Sequence, residues 1–415
     1  MPYNGARSDQ RPSATHADPA RDEREGARPG PGPARDGREA VLGGPTLRVR
    51  GKRFAPYTDN PHGAGLGTKG VDTMRDAAAR KAEAERLWLR AWALALMLLA
   101  IGFGGWELFW RSRGFVPSVT NDARFWAVTR ERASSDDPDT VVLVGSSRMQ
   151  LAIEPDAFTE ATGWQRPIQL AIAMGPSLPI LRNLAEDPRF RGTAVVEINP
   201  AITFNKTRSE LLKKIALVHL WSFRALSPSD RIEKRLAIAV QTRLVTRLPG
   251  LAPARLLGSL RNGSWPVRNH VVLSPERFGR ADFRVVADQL RRAQRHARQG
   301  RSIPTRPHPA DRIPELASEA GAYASRIQSR GGQVIFVRLP SAGDALAKQR
   351  AEAPRELYWD VFAEKVGAPV VHFADHPSLS QFRVPDGTHL DVRDASAFSR
   401  ALARILAELA GSARG

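Results

Sequence analysis

The 415-residue sequence contains no cysteine. That excludes disulfide staples, thiolate-ligated zinc or iron–sulfur centres, and a cysteine nucleophile. It leaves the compartment open, since a Cys-free chain suits either side of a membrane. Lysine is also scarce: nine of the 62 basic residues are Lys and the other 53 are Arg, spread along the chain. The formal charge of +19 would suit nucleic acid, anionic lipid or an acidic polymer. Arginine this dispersed reads as a bias of the whole composition, so a nucleic-acid partner is not expected. No internal repeat occurs, and the 33 Gly and 31 Pro follow no collagen-like period. What is present, 42% hydrophobic and 25% charged residues, suffices for a buried core.

Residues 1–68 carry no sustained apolar period and are rich in Gly, Pro, Arg and Asp, as in Ala27-Arg-Pro-Gly-Pro-Gly-Pro-Ala34. They read as a disordered tail, too poor in apolar surface to offset the entropy of ordering. A charged helical pattern covers 69–90. Residues 91–110 then run apolar with one charge, Glu107, and at about 1.5 Å per residue they reach roughly 30 Å, the hydrocarbon thickness of a bilayer. Trp88 and Trp92 flank one end, and Trp106, Phe109 and Trp110 the other, like interfacial aromatic belts. About ninety residues precede the run and no small-residue cleavage site follows it, so it reads as an uncleaved anchor rather than a signal peptide. Within about twenty residues of the span, five basic residues precede it and four follow. The weak bias, with the Arg-rich tail, favours the tail inside and the domain outside, in a single-pass protein of the cytoplasmic membrane. Residues 1–90 hold 17 basic and 12 acidic side chains, a net of +5, leaving +14 on residues 91–415.

Beyond the anchor, the domain of residues 120–415 alternates strand-like and helix-like segments. Thr140–Gly145, Ile168–Ile172, Thr193–Ile198, Gln333–Val337 and Val370–Phe373 are short apolar runs suited to buried parallel strands. Helical patterns separate them at Pro155–Thr162, Ser177–Glu186, Pro314–Ser329 and Pro354–Val366, and Val392–Leu409 closes the chain. The pattern predicts an α/β fold with a parallel sheet covered on both faces. Residues 204–312 break the rhythm, and their Arg- and Leu-rich pieces (Ser209–Leu220, Ser229–Leu248, Ala281–Gln299) predict a helical insertion.

In such sheets, ligands bind beyond the carboxyl ends of the strands. Gly145-Ser146-Ser147-Arg148 follows the first strand. By itself it is an ordinary turn with a capping serine, or a display of Ser147 at the sheet edge. Asp386-Gly387-Thr388-His389 precedes the last helix. A carboxylate three residues before an imidazole can hold the ring in the tautomer of a general base; equally, Asp386 could cap the helix. Arg148 and Arg338, at strand ends, are candidate substrate contacts or structural ion-pair partners. Ser177 reads as an N-cap. His372, Asp375 and His376 lack a third ligand at convincing spacing, so neither metal nor cofactor is expected.

Taken together, Gly145-Ser146-Ser147 and Asp386-x-x-His389 resemble the SGNH (GDSL-like) hydrolase superfamily. The likeness is nearest to its membrane-anchored branch, which includes alginate O-acetylation proteins and the teichoic-acid D-alanyl transfer protein. It covers about Thr140–Pro200 and Gln333–Leu409, leaving out the tail and the insertion; no G-x-S-x-G elbow is present. It implies a flavodoxin-like three-layer sheet. It also implies Ser147 as nucleophile, His389 as base and Asp386 as its orienting carboxylate, with the Ser147 amide, Gly175 and Asn199 as oxyanion donors. The usual G-x-N-D around the Asn is absent here. The resemblance further implies O-acyl transfer to, or ester hydrolysis on, a surface or exported polysaccharide, and a membrane-bound O-acyltransferase partner. The alternatives are a polysaccharide deacetylase or esterase with the same site chemistry, a non-catalytic scaffold in an envelope assembly, and a binding protein whose residues 1–90 recruit anionic lipid or nucleic acid.

Overall fold

The computed structural model describes residues 69–288 and 306–412; the predicted tail, residues 1–68, and part of the Ala281–Gln299 segment lie outside them. The first element is one continuous helix, α1 (Lys69–Ser112). Within it Arg75–Ser112 is long and apolar enough to cross a membrane, and none of its most apolar stretch is buried against the rest of the protein. Helix α2 (Ala123–Arg132) follows, its Asp122 cap accepting the Phe125 amide.

The domain core is an α/β sheet of five parallel strands: β1 (Val141–Val144), β2 (Ile168–Gln169), β3 (Thr193–Glu197), β6 (Gln333–Arg338) and β7 (Val370–His372). They lie in the order β2-β1-β3-β6-β7, the doubly wound order of flavodoxin-like sheets. Between β1 and β3 come α3 (Ser147–Ala152), α4 (Pro155–Thr162) and α5 (Leu178–Glu186). Pro155 at the start of α4 and left-handed Gly163 at its end punctuate that helix. Alternate strand residues feed two cores. Val142, Val144, Ala194, Val196, Val334 and Phe336 face one layer of helices; Val141, Leu143, Val195, Ile335 and Val337 face the other. Burial on both faces explains why these strands read as unbroken apolar runs.

The insertion departs from expectation. It contains α6 (Pro200–Thr203), α7 (Lys206–Arg224), α8 (Pro228–Gln241) and α9 (Pro253–Arg261), but also an antiparallel hairpin, β4 (Val271–Leu273) with β5 (Gly279–Ala281). Three-residue strands are too short for periodicity to register. Further differences concern one strand and the helices around the sheet. The second strand is two residues long rather than five. The segment 354–366 is helical only as α12 (Trp359–Lys365), after α10 (Ile313–Gln328) and an unforeseen α11 (Gly343–Glu352). A single turn, α13 (Pro377–Ser380), precedes the closing α14 (Val392–Ser412).

Candidate active site

Both polar motifs lie beyond the carboxyl ends of the strands, where the strand order reverses between β1 and β3. Gly145 ends β1 because nothing larger fits: a Cβ there would sit 2.7 Å from Glu197 Oε2 and from Met149 Cβ. Ser146 then caps α3, accepting the Arg148 amide, and Ser147 occupies the first position of that helix. The second motif is a turn through Gly387 at φ +85°, in which Asp386 Oδ1 accepts the amides of Thr388 (2.8 Å) and His389 (2.7 Å).

These local structures bring together side chains 242 positions apart. His389 Nε2 lies 2.8 Å from Ser147 Oγ, and His389 Nδ1 lies 2.6 Å from Asp386 Oδ2. With Nδ1–H donated to the carboxylate, Nε2 is left as the acceptor for the Ser147 hydroxyl. Burial pushes the Asp386 carboxyl up, but the bonds from His389 and from two backbone amides outweigh it and hold the pKa down at about 2. Asp386 is therefore ionised. His389 and Asp386 keep 22% of their side-chain surface accessible, so the arrangement is open to a ligand. A cavity of about 630 Å³ elsewhere, lined by Ile153, Pro155, Phe278 and Val392 among others, does not include them.

The remaining predicted site residues divide. Asn199 caps α6 through Oδ1, which accepts the Ala201 amide at 3.1 Å; this orientation leaves the amide nitrogen as its donor end. Gly175 differs from expectation, because its N–H is given to Ile172 O at 2.7 Å within a tight turn. Met174 before it is forced into the left-handed region, φ +58°. Ser177 makes no side-chain cap; its hydroxyl donates to the Glu197 carbonyl.

Arg148 and Arg338, each read from the sequence as either a substrate contact or a structural partner, are both buried and engaged inside the protein. Arg148 is 3% exposed, and it donates to the carbonyls of Thr388, Leu339 and Pro340 and to the Ser341 hydroxyl. Burial lowers its pKa, with Glu197 and Asp386 pulling the other way. Arg338 is also buried and reaches Gln349; burial and the charges of Arg148, Arg355 and Arg350 lower its pKa to about 10. His372 accepts the Ala374 amide on Nδ1 and packs between Trp359 and Phe373. Among the described residues no group of three His, Asp or Glu could hold a metal ion.

Sequence reasoning passed over two residues. Glu197, fully buried at the end of β3, accepts the Ser146 amide (2.7 Å) and hydroxyl (2.9 Å) on Oε2. A charged residue closing an otherwise apolar strand was the available signal. His270 lies in the inserted hairpin. Burial lowers its pKa, Asp386 raises it and His389 lowers it, so the insertion comes within electrostatic reach of the site. Its hairpin is pinned by fully buried Arg277, which donates to Gln169 O (2.6 Å) and Ala171 O (2.9 Å) at the end of β2. No sequence signal marked His270.

No protein-family model matches this chain, and no curated protein matches its sequence.

Proposed function

We propose that the protein is a membrane-anchored serine O-acyltransferase or esterase of the SGNH (GDSL-like) type, acting on acyl esters of a surface or exported polysaccharide. The observation that carries the chemistry is the hydrogen-bonded run Ser147–His389–Asp386. His389 takes the Ser147 proton as Oγ attacks the ester carbonyl. The tetrahedral oxyanion meets the Ser147 amide, which as the first of its helix has no intrahelical acceptor, and the amide nitrogen of Asn199. Collapse expels the alcohol, protonated by His389. Water or a sugar hydroxyl then gives its proton to His389 and attacks the acyl-serine; the acyl–Oγ bond breaks, His389 returns the proton to Ser147 Oγ, and the acid or the transferred ester is released. Asp386 keeps the ring oriented and stabilises the imidazolium in both halves. The polysaccharide substrate and a membrane-bound O-acyltransferase partner rest on the family resemblance. The apolar helix α1 supports a site held near a membrane; the outer side for the domain rests on the weak bias of basic residues in the sequence.

The test uses the purified full chain, assaying acetyl-ester hydrolysis and acetyl transfer to an oligosaccharide with wild type and Ser147→Ala. Loss of both in the variant is expected; unchanged activity overturns the assignment. A second reading, a non-catalytic scaffold, is favoured by the engaged Gly175 amide, because losing one oxyanion donor costs about 10²–10³ in rate. It predicts that a fluorophosphonate will not label wild-type Ser147.

A further inference from the structure

We propose that the inserted segment Arg243–Arg268 lies on the bilayer as an interfacial arm, holding the domain against an anionic lipid surface beside the anchor. The inference rests on the membrane-anchor part of the reading above and is independent of the chemistry. Its starting point is charge. Between Glu233 and Glu276 the chain has no acidic residue, and the arm itself carries five arginines (243, 247, 255, 261, 268).

The same stretch exposes large apolar side chains: Leu257 at 70%, Leu260 at 63%, Val267 at 59% and Trp265 at 50%. Leucines and a tryptophan interleaved with arginines, with no carboxylates, are what a segment in the headgroup layer of an anionic leaflet requires.

The arm's position supplies the independent argument. Glu107, the one charge in the apolar run, accepts the amides of Val245 (2.8 Å) and Thr246 (3.1 Å). Trp110 shares a small core with Phe115, Val245, Leu248 and Leu251. The Trp265 ring lies 5.7 Å from Trp110 and 6.5 Å from Phe109. The arm therefore leaves from the last turns of the apolar run, the level at which a spanning helix meets the headgroups. Glu107 is explained by the same contact, as the acceptor that fixes the arm there.

The absence of cysteine allows single-Cys variants. Spin labels would be placed on Leu257→Cys and Leu260→Cys, on Leu96→Cys within the apolar run, and on exposed Leu357→Cys as a water-facing control. The full chain would be reconstituted in phosphatidylethanolamine–phosphatidylglycerol vesicles, and collisions with oxygen and with a water-soluble nickel chelate measured. The expected result is loss of nickel collisions and gain of oxygen collisions at 257 and 260 relative to 357. The shift should diminish in phosphatidylcholine vesicles and in an Arg255→Gln/Arg261→Gln background. Lipid exposure at 96 with water exposure at 257 and 260 overturns the arm while leaving the anchor standing. Water exposure at 96 overturns the anchor and the arm with it. Shielding of 257 and 260 from both reagents would mean a protein covers them, and also overturns the inference.

Discussion

Arg148 Nε lies 3.6 Å from Glu197 Oε1, and both side chains are almost sealed from solvent. The guanidinium belongs to the residue after Ser147, and it also reaches Thr388 O, next to His389, and the loop after β6. One buried cation thus ties the serine side of the site to the histidine side, while Glu197 holds the turn from below through Ser146.

Arg148→Met should therefore act on stability and geometry. It strands the Glu197 carboxylate without its cation, and breaking a buried pair on one side costs about 3–5 kcal/mol. Denaturant unfolding should show that loss, and esterase activity should fall through kcat. Lysine should not rescue, because one ammonium cannot span acceptors arrayed around a planar fork. Unchanged stability with a raised KM for anionic substrates alone would return Arg148 to the role of a substrate contact.

Gly145→Ala tests the same turn from the backbone side. The added methyl meets Glu197 Oε2 and Met149 Cβ at 2.7 Å, and overpacking of this kind costs about 1–3 kcal/mol. Since Ser147 is two residues on, labelling by a fluorophosphonate should slow in the folded variant. A labelling rate equal to wild type would show that the turn absorbs the methyl without moving Ser147.

Asp386 should give the site an acid limit. Its folded pKa of about 2 lies below the ordinary value of 3.8, so its contribution is fully present above about pH 4 and is lost as pH falls towards 2. At about 1.4 kcal/mol per unit this amounts to about 2 kcal/mol. Asp386→Asn should remove that limb of the stability–pH curve. It should also lower kcat by about 10⁴, as loss of the orienting carboxylate does in serine triads. A variant retaining wild-type kcat at neutral pH would remove Asp386 from the mechanism.

The strands and the two motifs were legible in the sequence because each depends on local physics. Doubly buried strands must be apolar throughout, and tight turns select Gly145 and Gly387. The fates of Arg148 and Gly175 were not legible. A strand-end arginine reads identically whether it faces solvent or the carbonyls of two buried loops, and an amide's partner depends on a turn three residues long. The hairpin escaped for a related reason: β4 and β5 are held in place by Arg277 reaching carbonyls about a hundred residues away, a tertiary contact with no local pattern.

His372 should set a second, higher acid limit distinct from that of Asp386. Burial chiefly, with the nearby charges of Arg338 and Arg355, lowers its pKa from 6.5 to about 3, so the folded protein holds it neutral. The unfolded chain takes up a proton below pH 6.5 that the native state refuses until about pH 3. Stability is therefore complete above pH 6.5 and declines as pH falls through that window, by up to several kcal/mol at about 1.4 kcal/mol per unit. His372→Asn keeps an acceptor for the Ala374 amide but cannot titrate. It should be less stable at neutral pH, having lost ring contacts with Trp359 and Phe373, yet its stability should fall less steeply than that of wild type between pH 6.5 and 4, the remaining slope coming from groups such as His219, His270 and His308, whose pKa values burial also lowers. Denaturant midpoints measured at half-unit steps separate the two effects, and a variant as steep as wild type would mean that His372 is not the group titrating.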